Sequence, residues 1–163
     1  MSQKQAPDGR IGPVKKAIVR LLHLYFALSR GMTLGVRAAC FDSEGRIFLV
    51  RHTYLPGWYL PGGGVERGET AAQALEKELR EEGNLIITAP PILLQSCLNL
   101  SASRSDHVLF YRTDVHQTEP RRPDHEIAES GFFALDALPD GVTPATRRRL
   151  DELAKGGPYA DLW

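Results

Sequence analysis

The segment Leu60-Pro61-Gly62-Gly63-Gly64 cannot continue a helix or a strand, and it constrains the fold more than any other stretch of the chain. Three glycines after a proline form a tight turn that exposes bare backbone. A helix start follows soon after. Thr70 is a good N-cap, Gln73 completes a T-x-x-Q capping box, and Gly83-Asn84 supplies residues that tolerate the left-handed end. The expected helix covers residues 70–83. With Leu75 at zero on a wheel of about 100° per residue, Ala71, Ala72 and Leu79 fall within about 60° of it and define the buried face. Glu78, Glu81 and Glu82 then fall at about −60°, −120° and −20°, on an arc that overlaps that face, whereas Gln73, Glu76 and Arg80 point away. Like charges at this spacing repel, and acids near a helix C-terminus oppose its dipole, so the arrangement calls for a cation.

A run such as KELREE on its own is ordinarily a solvated face. The glycine turn just upstream argues otherwise, because it brings backbone carbonyls and amides close to a ligand. Hard oxygen donors of this kind suit magnesium, whose remaining positions go to water and substrate phosphates.

The rest of the chain reads as strands and a second helix. Residues 32–42 and 46–52 are β-rich and flank Asp42-Ser43-Glu44-Gly45, which predicts a hairpin. Residues 85–88, 92–101, 107–115 and 130–135 read as further strands, 102–106 and 118–124 as turn and loop. Thr143-Pro144 opens a final helix, with Thr as cap and Pro in its first turn.

The segment from Gly63 to Leu85 resembles the Nudix box, G-x5-E-x7-R-E-U-x-E-E-x-G-U with U aliphatic. Gly63 and Glu69 match the first glycine and the isolated acid. Glu78, Leu79, Glu81, Glu82 and Leu85 match the later acids and aliphatics. Lys77 stands in place of the pattern's arginine, and Asn84 in place of its second glycine. Asn84 is a change of capping detail. Lys77 replaces a planar fork by a point charge, so either activity falls or another residue takes over the orienting role.

The resemblance implies an α/β/α sandwich around a mixed β-sheet and hydrolysis of the pyrophosphate link in a nucleoside diphosphate derivative. It assigns Mg2+, with Mn2+ as a substitute, to Glu78 and Glu82. Gly62 would add its carbonyl, and Glu81 would share metal binding or water activation. The general base is either Glu78 or Glu81. Glu69 is expected to brace the loop. Glu126 and Glu129 are either extra ligands or bases, or solvated loop acids. Arg51, Tyr54 and Trp58 border the turn and are candidates to hold a phosphate or stack on a base, with core packing an equal reading for Trp58.

Composition narrows the alternatives. The 163 residues fit one domain. The chain divides into an N-terminal extension, residues 1–30, and a catalytic domain, residues 31–163. Zero net charge gives no global field for nucleic acid or an anionic membrane, so a small nucleotide held locally is the expected partner. Cys40 and Cys97 sit singly in apolar runs, which predicts buried thiols and not a zinc site or disulfide. In the extension, Val14, Ile18, Leu21, Leu22, Tyr25 and Leu28 share one face, and Lys16, Arg20, His23 and Arg30 the other. This amphipathic helix is expected to pack on the domain or on a second copy in a homodimer; a membrane-surface role is the alternative. It carries too many polar groups to span a bilayer and has no clean cleavage site, so a cytoplasmic protein is expected.

Two competing functions remain open from sequence. Lys77 motivates a catalytically impaired Nudix fold that binds or regulates. A metal-buffering acidic helix would instead bind calcium tightly without regard to nucleotide.

Overall fold

The computed structural model describes Ile18, Arg20, Leu21, Leu22, Tyr25, Phe26 and residues 31–163. The chain divides into two units, Met1–Met32 and Thr33–Trp163. In the first, the six described residues before residue 31 are helical. Val14, Lys16, His23, Leu28 and Arg30 of the expected amphipathic helix lie outside the described residues. No helix among the described residues is long and apolar enough to cross a membrane.

The second unit holds, in order, β1 (Thr33–Phe41), β2 (Ile47–His52), α1 (Ala71–Gly83), β3 (Leu85–Ile87), β4 (Ile92–Leu98), β5 (Asp106–Gln117), β6 (Ile127–Phe133) and α2 (Pro144–Ala154). The main path of the six-stranded sheet is β3-β5-β1-β2-β6. β1 and β5 run parallel, and the other pairs are antiparallel. Twelve-residue β5 is long enough to hold β4 and β3 end to end along one edge, while β1 takes the other.

Strand alternation puts apolar side chains on both faces of this sheet. Val36, Ala38 and Cys40 of β1 join Phe48 and Val50 of β2 against Ala74, Leu75 and Leu79 of α1. The intervening residues Ala39, Phe41, Ile47 and Leu49 face the other way, onto Trp58, Leu60, Phe110 and Leu150 of α2. A helix therefore covers each face, as an α/β/α sandwich requires. Cys40 and Cys97 are buried and unpaired.

The expected hairpin forms only at its tip. β1 and β2 pair through Phe41 and Ile47 and then diverge, and the glycine-rich segment fills the gap. On the β1 side, the amides of Ala38 and Val36 donate to the carbonyls of Pro61 and Gly63, and the Val65 amide donates to Leu34. On the β2 side, Val50 and Tyr59 exchange both backbone bonds. The turn's backbone is thus fixed by strand pairing on both flanks.

Several boundaries shift. β4 ends at Leu98, β5 runs on to Gln117, and β6 starts three residues early at Ile127. In α1, Ala72 is exposed although the wheel puts it on the buried face, and Ala74, which the wheel does not assign to that face, is buried. A wheel fixes direction but not how far along its axis a helix is covered; here the buried positions lie in the middle and last turns.

Candidate metal and phosphate site

The caps of α1 form as the sequence implies. Thr70 and Gln73 make a reciprocal capping box, and Asn84 itself takes the left-handed position, with φ 52°. Asn84 therefore does what the glycine of the Nudix pattern would do. The axial rotation of α1 is set by Leu75 and Leu79 in the core, and it presents three of its acids to one small cavity.

The acids sit at different depths. Glu82 is 4% exposed, and its Oε2 accepts a 2.7 Å bond from the Gly62 amide. Glu78 is half-buried, and its carboxylate stands against Gly63, where an added Cβ would fall 2.4 Å from the carboxylate carbon. Gly62, with φ 138°, passes so close to β1 that a Cβ would lie 2.1 Å from the Val36 carbonyl oxygen. Glycine is needed at 62 for this approach, and glycine at 63 leaves the space that the Glu78 carboxylate occupies. Glu81 is exposed, contrary to the expectation that all three acids turn inward, because it lies at the margin of the arc.

Glu78, Glu81, Glu82 and Glu126 line one cavity of about 240 Å3, with Lys77 and Arg121 also on its wall. Burial pushes the Glu82 carboxyl up to about 7; Arg37 and the Gly62 amide oppose the rise, and Glu78 and Glu126 add to it. Burial also raises Glu78, with Lys77 opposing and Glu81 contributing. His52 is 5% exposed, with Nε2 3.8 Å from Glu82 Oε1, and burial followed by Arg37 lowers its pKa. It is therefore neutral at pH 7 and does not neutralise Glu82.

These observations fit a divalent ion. Hard oxygen donors share a polar cavity, and the most buried of them carries a charge that burial disfavours. Among the described residues no three acid, His or Cys side chains converge into a metal-holding group as they stand.

Lys77 resolves part of the question its presence raised. Its Nζ lies 3.3 Å from Glu66, 3.3 Å from Glu69 and 3.8 Å from Glu78. Glu69 in turn accepts from the Glu66 amide at 2.9 Å. The lysine thus braces the loop and the helix together as a point charge.

Glu126 lines the cavity, whereas Glu129 pairs with Arg51 at 2.6 Å on an exposed edge. Arg51 and Trp58 do not line the acidic cavity. Trp58 is 6% exposed and packs edge-on against Phe133, with the Arg51 guanidinium over its ring. That burial leaves it no open face for a base, so core packing is its observed role.

Three residues in or beside the site carry no box signal: Arg37, His52 and Arg121. A lone arginine or histidine inside an apolar strand was the available cue for the first two. A larger groove of about 680 Å3 is lined in part by Arg37, Tyr59, Gly63, Gly64 and Trp163.

The NUDIX domain model matches residues 31–153, and the chain belongs to the Nudix family. It is 31% identical to a MutT NUDIX hydrolase from Burkholderia pseudomallei, with a TM-score of 0.59 over 73% of this chain and 95% of that one. An RNA pyrophosphohydrolase of Gluconobacter oxydans (strain 621H) is 43% identical over 49 residues, which are 29% of each protein. The 8-oxo-dGDP phosphatase NUDT18 of Mus musculus is 32% identical over 83 residues, 50% of this chain and 25% of that protein. The matched segments thus span less than a third of either curated relative.

Proposed function

We propose that the chain is a magnesium-dependent pyrophosphohydrolase acting on a nucleoside diphosphate derivative, a nucleoside triphosphate or a nucleoside diphosphate linked to another group. The observation that carries this reading is the buried Glu82 carboxylate, held on the Gly62 amide beside a cavity that Glu78, Glu81 and Glu126 also line. Glu78 and Glu82 are the main ligands, and Glu81, Glu126 and the Gly62 carbonyl complete the donor set. Mn2+ is expected to substitute.

The bound ion would neutralise charge on the diphosphate oxygens. The rest falls to the chain. The glycine turn lets the diphosphate approach the acids without a side chain in the way. A water attacks one phosphorus, the bridging P–O bond breaks with its electrons leaving on oxygen, and a glutamate takes the water's proton. Glu81, exposed at the cavity, and Glu78, whose proton affinity burial raises, are the two candidate bases. Lys77, already ion-paired to the loop and to Glu78, supports an enzyme over an impaired binding module.

Nothing in the cavity selects the group beyond the diphosphate, and the proteins similar to this chain carry different substrates in their names. The deciding experiment is a panel at fixed magnesium with product identification. It includes nucleoside triphosphates, 8-oxo-dGDP, ADP-ribose, nucleotide sugars, dinucleoside polyphosphates and 5′-triphosphorylated RNA. Hydrolysis of at least one, lost in Glu82→Gln, is expected; no turnover on any of them would overturn the enzymatic reading. A small nucleotide in the cytoplasm is the proposed substrate, and the RNA arm tests that restriction.

A further inference from the structure

Arg37 is the one charged residue of β1; among the described residues its guanidinium makes no ion pair within contact distance, although its charge is felt by Glu82 and Glu78. Its Nη1 donates to the carbonyls of Leu60, at 3.3 Å, and Gly62. Gly62 is therefore engaged on both sides: its amide holds Glu82 and its carbonyl holds Arg37. Nε and Nη2 make no hydrogen bond among the described residues, and a guanidinium offers five N–H donors in a planar fork. Arg37 also lines the groove that Gly63 and Gly64 border, next to the residues that carry the Glu78 and Glu82 contacts.

Two cations cannot share one carbonyl oxygen at contact distance without strong repulsion. We propose that Arg37 and the divalent ion compete for the Gly62 carbonyl, and that a phosphate in the groove gives the displaced guanidinium its alternative partner. Arg37 then couples the two ligands: the ion releases the fork, the phosphate captures it in paired charge-assisted bonds, and each ligand favours the other. Arg37 is in this account a substrate-binding residue that also sets metal affinity. The proposal rests on the metal site proposed above.

The test combines metal binding with kinetics on the full chain, using Arg37→Met and Arg37→Lys. Calorimetry with Mn2+ alone, at pH 8 so that Glu82 is ionised, is expected to show Arg37→Met binding about fivefold tighter than wild type, a coupling of ordinary size. Arg37→Lys keeps a cation for the carbonyl and should stay within about twofold of wild type in Mn2+ affinity. With a substrate found in the panel, both variants should raise KM about tenfold while kcat changes less, since each loses the fork. Thermal melts report whether either variant is folded, and Arg37→Lys carries the KM test if Arg37→Met is not. Arg37→Met binding Mn2+ no tighter than wild type, or a KM unmoved in Arg37→Lys, overturns the proposal alone. A wild-type chain that binds no Mn2+ removes the metal site and the proposal together.

Discussion

Glu82 is buried, accepts one backbone bond and has two other acids in its field. Its carboxyl rises from an ordinary 4.5 to about 7, so the folded chain holds that proton more tightly than the unfolded chain does. Stability must therefore fall as pH rises from about 4.5 to about 7 and stay low above that, by up to about 3 kcal/mol from this group. In thermal melts with chelator, wild type should lose stability between pH 5 and pH 8 relative to Glu82→Gln, and Mg2+ at pH 8 should restore it in wild type alone. Equal pH slopes in the two proteins would show that Glu82 is not the strained group. Burial lowers the His52 pKa, so its imidazole offers Glu82 no compensating charge at pH 7.

At the scale of elements, α1 and the glycine turn act as one part. The turn is pinned between the diverging ends of β1 and β2, and α1 meets it through Glu78 and Glu82. Gly63→Ala places a methyl where the Glu78 carboxylate stands. It should cut turnover at least about tenfold through misplacement of that group, with a smaller effect on the melt. Normal kcat in that variant would count against Glu78 as a working ligand or base. What was legible in the sequence at this scale was local: the Thr70–Gln73 box and the Asn84 cap depend on residues three or four apart. The insertion of the turn between β1 and β2 was not legible, because hairpin chemistry at Asp42–Gly45 says nothing of where the strands part. Arg37 and His52 stayed hidden for the same reason. Their contacts, with Gly62 and Glu82, are made across the fold by residues that short-range periodicity cannot pair. Glu126 was legible only as one of two nearby acids; the register of β6 on β2 sends Glu129 to Arg51 instead.

For the whole molecule, the two cores face opposite sides of one sheet, and the site lies where the α1 side meets the inserted turn. On the other side a buried cation does structural work. Arg149 of α2 is 0% exposed and donates to the carbonyls of Ala160, at 3.1 Å, and Leu162, at 2.8 Å, beneath the Trp163 ring. This ties the C-terminal residues to α2 and to β4, where Leu98 exchanges backbone bonds with Asp161 and Trp163. Arg149→Met leaves two carbonyls without their donors and should cost about 2 to 4 kcal/mol in denaturant unfolding. An unchanged midpoint would mean that the Leu98 backbone bonds and Trp163 packing hold the tail without Arg149. The Lys77 network, the acids of α1 and Glu126 just before β6 make no contact with that anchor, so Mn2+ affinity should survive the substitution.

The acids of α1 are expected to share a divalent ion beside the Gly62–Gly63 backbone. Anomalous diffraction from crystals grown with Mn2+ and a non-hydrolysable diphosphate tests this directly. A peak bounded by Glu78 and Glu82, with phosphate oxygens on its open side, is the expected result. No peak in that cavity at saturating Mn2+, with Glu82 still on the Gly62 amide, would contradict it.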